Sequence, residues 1–186
     1  MRSFKLLILL LLCLFLLPVK SFAVEAKVTD LLISNTPDNL IVYLKLENSF
    51  TEKMEEAIFA GIPTTFTFIL EVYQERRWWF DKRISLLEVR HAIKYDNIKK
   101  ILYVLFTEDG RAPEQFEEFS EAKITMSELN GVAFTPLKQL TKGRRYYLRV
   151  KATLEEVRLP LHLEYVLFFV SLWDFETDWA RQGFVY

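Results

Sequence analysis

Polar and apolar residues alternate with a period of two along most of the middle of this chain. In Thr64–Tyr73, Phe66, Phe68, Leu70 and Val72 fall on one side, with Thr65, Thr67 and Glu71 among the residues on the other. A turn over Gln74–Arg77 leads into a second run, Trp79–Tyr95, and Asp96-Asn97 turns the chain into a third, Ile98–Phe106. Alternation over such lengths predicts three long antiparallel strands, each with one buried face. In the second run Phe80, Ile84 and Leu86 set the even positions inward, whereas Leu87, Val89, His91, Ile93 and Tyr95 set the odd ones inward. That switch after Leu86-Leu87 predicts a β-bulge.

The flanking segments follow the same logic. Glu25–Ile33 and Leu40–Glu47 read as strands joined through the turn-rich Ser34–Asn39. Ser49 with Glu52 three residues on has the form of a capping box and predicts a short helix. Phe50, Met54 and Ile58 share one face of it, and Gly61 and Pro63 end it. After a turn at Asp109-Gly110, a second helix is expected from Pro113 to Leu129, with Phe116, Phe119, Ala122, Met126 and Leu129 as its apolar stripe. Asn130-Gly131 closes that helix, and Pro136–Leu140 reads as a connector. Arg144–Val157 is a further strand, with Tyr146, Leu148, Val150, Ala152 and Leu154 inward. Leu161–Leu172 is apolar almost all round and fits a buried helix or a buried strand. Helical spacing of Leu163, Val166, Leu167 and Val170 tilts that choice to helix, and Trp173–Tyr186 reads as a last strand. Six or seven strands with two or three helical crossings make a mainly β protein, an antiparallel β-sandwich.

The first 23 residues stand apart. Arg2 and Lys5 precede an apolar run from Leu6 to Leu17, Pro18 breaks it, and Ser21-Phe22-Ala23 has the form of a processing site. This is the pattern of a secretory signal peptide, cleaved after Ala23, and it predicts that residues 24–186 form a single exported domain. The rival is an uncleaved anchor, for which an apolar run of about 12 residues falls short of the ~20 that span a bilayer. Cys13, the only cysteine, directly follows Leu9–Leu12, which does not fit a lipoprotein signal. Its removal with the leader excludes disulfides and thiol nucleophiles, so stability must come from the core.

The composition supports such a core: 51% of the 186 residues are hydrophobic, and 16 are phenylalanine. The net charge is −1. Three of the 24 basic residues lie in the leader, which leaves 21 against 25 acidic ones in the remainder, a net of −4. That balance argues against nucleic acid, whose binding needs a basic surface. Phosphate-loop, zinc and calcium-loop motifs are absent from the sequence, and no cofactor is implied.

Two groups of residues invite a chemical reading. Asp174, Glu176 and Asp178 recur every second residue, which on a strand spaces them by ~7 Å along one face. Inverting glycosidases hold their carboxylates ~6.5–9.5 Å apart, and a calcium site could begin the same way. Alternation with Trp173, Phe175 and Trp179 accounts for the pattern as the wet face of an edge strand, and one strand supplies too few oxygens for a metal. His91 shares its face with apolar residues and reads as a hydrogen-bonded core histidine. No serine sits in a nucleophile-elbow pattern. The chain is therefore expected to be non-catalytic, without catalytic or metal-binding residues.

Arg76-Arg77-Trp78-Trp79-Phe80 is different in kind. Neighbours on a strand face opposite ways, so Trp78 and Phe80 are expected inward and Trp79 outward, with Asp81, Arg83 and Ser85. An outward tryptophan beside two arginines has the composition of a binding hot spot and makes Arg76, Arg77 and Trp79 the candidate partner-binding residues. The alternative covers Trp79 with the Pro113–Leu129 helix or the C-terminal segment.

Phe50-Thr51 with the helix after it, Gly61-Ile62-Pro63-Thr64-Thr65-Phe66-Thr67-Phe68, and Ser171-Leu172-Trp173-Asp174-Phe175-Glu176-Thr177-Asp178-Trp179 resemble the bacterial domain-of-unknown-function family numbered 4390. The resemblance covers the chain after the leader. It implies an exported protein of Gram-negative bacteria, often encoded beside a membrane sensor histidine kinase of the nitrogen-regulation type, and carries over no functional residue.

The first expectation is thus a non-catalytic interaction module that binds an envelope protein, with the periplasmic region of such a kinase as one candidate. Contact with the membrane surface stays open, without a span once the leader is gone. The alternative is a periplasmic carrier of an apolar ligand or lipid, suggested by Tyr165–Trp173 and the many phenylalanines. A carboxylate-dependent hydrolase using Asp174, Glu176 and Asp178 comes third.

Overall fold

The computed structural model describes residues 25–107, 110–154 and 175–186. Among these, two antiparallel sheets are built from nine strands. The smaller has the order β1 (Lys27–Asn35), β2 (Asn39–Glu47), β7 (Glu128–Pro136). The larger has the order β6 (Glu114–Phe116), β5 (Ile101–Phe106), β4 (Lys82–Asp96), β3 (Thr64–Gln74), β8 (Arg145–Leu154), β9 (Ala180–Val185). Helix α1 (Glu52–Phe59) links β2 to β3, α2 (Phe119–Ser127) links β6 to β7, and a 3₁₀ turn (Leu137–Gln139) follows β7. The protein is mainly β and sandwich-like, as the alternation predicts.

The core is where the alternating faces meet. Leu40, Val42, Leu44 and Leu46 of β2 face Phe66, Phe68, Leu70 and Val72 of β3 and Leu148, Val150 and Ala152 of β8, all almost without exposed surface. Met54 and Ile58 from α1 and Ala122 and Met126 from α2 close it. A hydrogen bond of 2.6 Å between the hydroxyls of Ser85 and Thr135 joins β4 to β7 across the seam between the sheets.

Several boundaries differ from the sequence reading. The N-cap of α1 is Thr51, whose hydroxyl accepts the Met54 N–H at 3.3 Å. Ser49 is instead buried and bonds the Ser127 hydroxyl at 3.2 Å, which ties the α1 entry to the α2 exit. β4 starts at Lys82 rather than Trp79, and its extra residue is Ile84, since Val72 pairs Ser85 and Tyr73 pairs Arg83. The bulge thus lies two residues before the expected place, and Leu86 is exposed rather than inward. β5 begins at Ile101, because the Asp96 carboxylate accepts the N–H groups of Ile98 and Lys99 and holds Asn97–Lys100 in a turn.

The predicted Pro113–Leu129 helix is three elements. Glu114–Phe116 pairs with β5, α2 takes only Phe119–Ser127, and Leu129 belongs to β7. β7 was not expected. Its alternation is interrupted at Gly131, the unpaired residue between Val42↔Val132 and Tyr43↔Asn130, with φ +76°. A Cβ there would sit 3.4 Å from the Tyr43 hydroxyl, an ordinary contact, so it is the left-handed backbone conformation that favours glycine. β8 ends at Leu154. Val157, the apolar Leu161–Leu172, the turn residue Asp109 and Trp173 lie outside the described residues. The expected last strand is shorter than Trp173–Tyr186: Glu176 makes a single bridge to Thr153, and regular pairing with β8 runs from Ala180.

Candidate functional site

β3 is the middle of the larger sheet, paired with β4 from Thr64↔Ile93 to Gln74↔Lys82 and with β8 from Phe66↔Leu154 to Gln74↔Tyr146. Both ladders stop at Gln74, and the chain crosses to β4 through Glu75–Asp81 beyond the end of the sheet. The base of this loop is pinned. Asp81 accepts the Arg76 N–H through one carboxylate oxygen and the Tyr147 hydroxyl through the other, each at 3.0 Å. The Glu75 N–H donates to the Arg145 carbonyl at 3.0 Å, and the Arg181 guanidinium holds the Glu75 carboxylate at 2.9 Å. Burial, and then the Asp81 carboxylate, push the Tyr147 phenol above its ordinary pKa. It therefore stays a proton donor to Asp81 through the neutral range.

Three consecutive aromatic side chains stand on this base. Trp78, Trp79 and Phe80 are 87%, 75% and 88% exposed. Trp79 is outward, as expected. Trp78 and Phe80 are not inward, because alternation binds only residues held in a ladder, and these lie past its last rung. The Arg77 guanidinium is 5.6 Å from the centre of the Trp78 ring. Large aromatics bury 150–250 Å² each when they pack, so leaving three in water at one tip sacrifices stability that the core could have had. Exposed apolar patches on folded domains often mark interaction sites, which makes this tip the candidate.

Behind the tip, the outer face of the larger sheet is knitted by charge and ring stacking. Glu71 is buried and accepts Arg83 at 3.1 Å on one oxygen and Arg149 on the other. Tyr73 stacks on Tyr147 with ring centres 5.3 Å apart, and Arg149 lies 4.8 Å from the Tyr73 ring and 4.2 Å from that of Trp179. These pairs fix β3, β4 and β8 relative to one another below the loop.

The other candidate groups are dispersed. His91 is fully buried, with Nδ1 3.2 Å from the Met126 carbonyl and its ring edge-on to Phe106, as the core reading requires. Asp174 lies outside the described residues. Glu176 is exposed and ion-paired with Lys151, Asp178 is exposed, and Thr177 between them is buried with its hydroxyl accepting the Ala152 N–H at 3.0 Å. Among the described residues no three His, Cys, Asp or Glu side chains come together as a metal site would need. No helix among them is long and apolar enough to cross a membrane.

A family model, Domain of unknown function (DUF4390), matches residues 23–182. The chain belongs to that family. The DUF4390 match runs from just before β1 into β9, so the tip and its pins at Asp81, Tyr147 and Arg181 all lie within it. No curated protein and no solved structure matches the chain.

Sequence reasoning reached Arg76, Arg77 and Trp79 and missed Trp78 and Phe80 as surface residues of this DUF4390 chain. A signal was present: charged residues crowd both sides of Trp78-Trp79-Phe80, as they do in loops, and Asp81 stands where a loop-closing carboxylate belongs. Tyr147 and Glu71 were out of reach, since their roles depend on which strands become neighbours.

Proposed function

We propose that this protein is a non-catalytic interaction module of the bacterial envelope, exported and acting in the periplasm, which engages an envelope component through Trp78, Trp79 and Phe80 with Arg76 and Arg77 beside them. The exposed aromatic tip on a pinned base carries this reading. Energetically, the fold does without these rings, so their burial is available to an encounter, and a base already fixed by Asp81 and Glu75 reduces the ordering that binding would otherwise cost. The reading is further supported by the scatter of the remaining polar groups, in which His91 is used inside the core and Glu176 at the surface. The periplasmic region of a sensor kinase is one protein candidate, through the neighbourhood that the family resemblance implies; the membrane surface is the other component within reach.

The test compares stability with retention on the envelope. Trp79→Ala and Trp78→Ala are each expected to shift unfolding free energy by no more than about 0.5 kcal/mol, as surface changes do. Trp79→Ala is also expected to weaken retention of the exported protein on an isolated envelope fraction at least about tenfold, the scale of a tryptophan hot spot. Retention unchanged by replacing the tip removes this surface from the function. Separately, the intact mass of the exported protein is expected to correspond to a chain beginning at Val24. Full-length chain in the membrane fraction would show the leader to be an anchor.

A further inference from the structure

We infer that the occupant of the tip is a lipid bilayer surface carrying anionic headgroups, into whose interfacial zone Trp78, Trp79 and Phe80 insert. This rests on the reading of the tip as the contact surface and gives that surface its partner. Shape is the first argument. The three rings stand on the loop past the last rung of the sheet and are individually 75–88% exposed, so they project into solvent instead of lining a pocket. A protein partner would have to supply a pocket and a water-excluding rim for each ring, whereas a bilayer interface takes in projecting apolar side chains without a preformed pocket. Residue type is the second argument. Tryptophan rings are enriched at the headgroup level, where an apolar body and a polar N–H are both satisfied.

Charge is the third. Arg76, Arg77 and Lys82 flank the rings, and Arg145 lies at the loop base through its carbonyl bond to Glu75. The two acids in the loop offset only part of this collar: Glu75 is paired with a further cation, Arg181, and Asp81 keeps its charge while accepting the Arg76 N–H and the Tyr147 hydroxyl. A chain with a net of −1 thus places basic residues around a cluster of three exposed aromatics. Arginines match phosphate oxygens with paired N–H donors, and basic residues at a membrane surface add to the binding of an apolar face. The pinned base holds the tip in place before contact.

The experiment is flotation of the exported protein with vesicles of phosphatidylethanolamine and phosphatidylglycerol, and with vesicles of phosphatidylcholine alone. The protein is expected to float with the anionic vesicles, its tryptophan emission to shift to shorter wavelength, and lipids brominated near the headgroup to quench it. Replacing Trp78, Trp79 and Phe80 together by alanine should lower vesicle affinity at least about tenfold. Arg76→Gln with Arg77→Gln should lower it about thirtyfold on anionic vesicles at low salt and leave the weaker phosphatidylcholine binding unchanged. Vesicle binding that survives the aromatic replacement comes from elsewhere in the chain and overturns the inference. Absence of vesicle binding also overturns it; if retention on the envelope fraction then still depends on the tip, a protein occupies it, and the interaction module stands without the lipid.

Discussion

Phe66→Ala is expected to lower the stability of the fold by about 3–5 kcal/mol, the range for removing a buried phenylalanine. Phe66 has no exposed surface and sits on the central strand between His91 of β4 and Leu154 of β8. Its ring meets two others from distant parts of the chain: Phe50 ahead of α1, with centres 5.0 Å apart, and Phe175 ahead of β9, 5.4 Å away. Truncation therefore opens a cavity bounded by three elements that cannot all move in to fill it. Two aromatic pairs are lost as well, each contributing ~0.5–1.5 kcal/mol beyond its buried area. Denaturant unfolding with an unchanged slope measures the loss. A shift below about 1 kcal/mol would mean that the ring cluster is not packed as described.

The second large effect concerns Glu71. Burial disfavours its charge, but the hydrogen bonds and charges of Arg149 and Arg83 outweigh burial and hold its pKa below the ordinary 4.5. A carboxyl depressed in the folded state adds stability that is fully present above its unfolded pKa and is lost as pH falls through the folded one. Glu71→Gln is accordingly expected to cost about 1.5–3 kcal/mol near pH 7, the scale of hydrogen bonds to a charged group. The gap between wild type and variant should hold from neutral pH down to about 5 and then close as acid protonates Glu71 below 4.5. Denaturation curves at several pH values give the comparison. A gap that stays constant into strong acid would assign the loss to packing and not to charge.

Legibility in the sequence followed the ladders. β2, β3 and β8 alternate without interruption over their buried faces, and their inward residues are those expected. Where the backbone inserts a residue, the pattern loses its phase: Ile84 moves the bulge in β4, and Gly131 hides β7 inside what resembles the end of a helix. Phe116 and Leu129 fit the stripe of one long helix by spacing alone, although they lie on strands on either side of α2. Periodicity describes which face a residue takes once the element is known, and it cannot tell three short elements from one long one. At the tip, the same rule placed Trp79 outward and failed for its two neighbours, which no ladder constrains.

β3 carries a mechanical consequence. It has eleven paired positions with β4 and nine with β8, and the loop at its end continues its direction. The bonds of an antiparallel ladder run across the strands. A pull on the tip directed away from the body of the protein draws β3 and β4 together in one direction, so it shears, all at once, the nine paired positions that tie β3 to β8 and the six that tie β4 to β5. Anything tethered through Trp78, Trp79 and Phe80 is held by the larger sheet loaded along its strands, so under tension the tether is expected to let go before the hairpin slides out of the sheet.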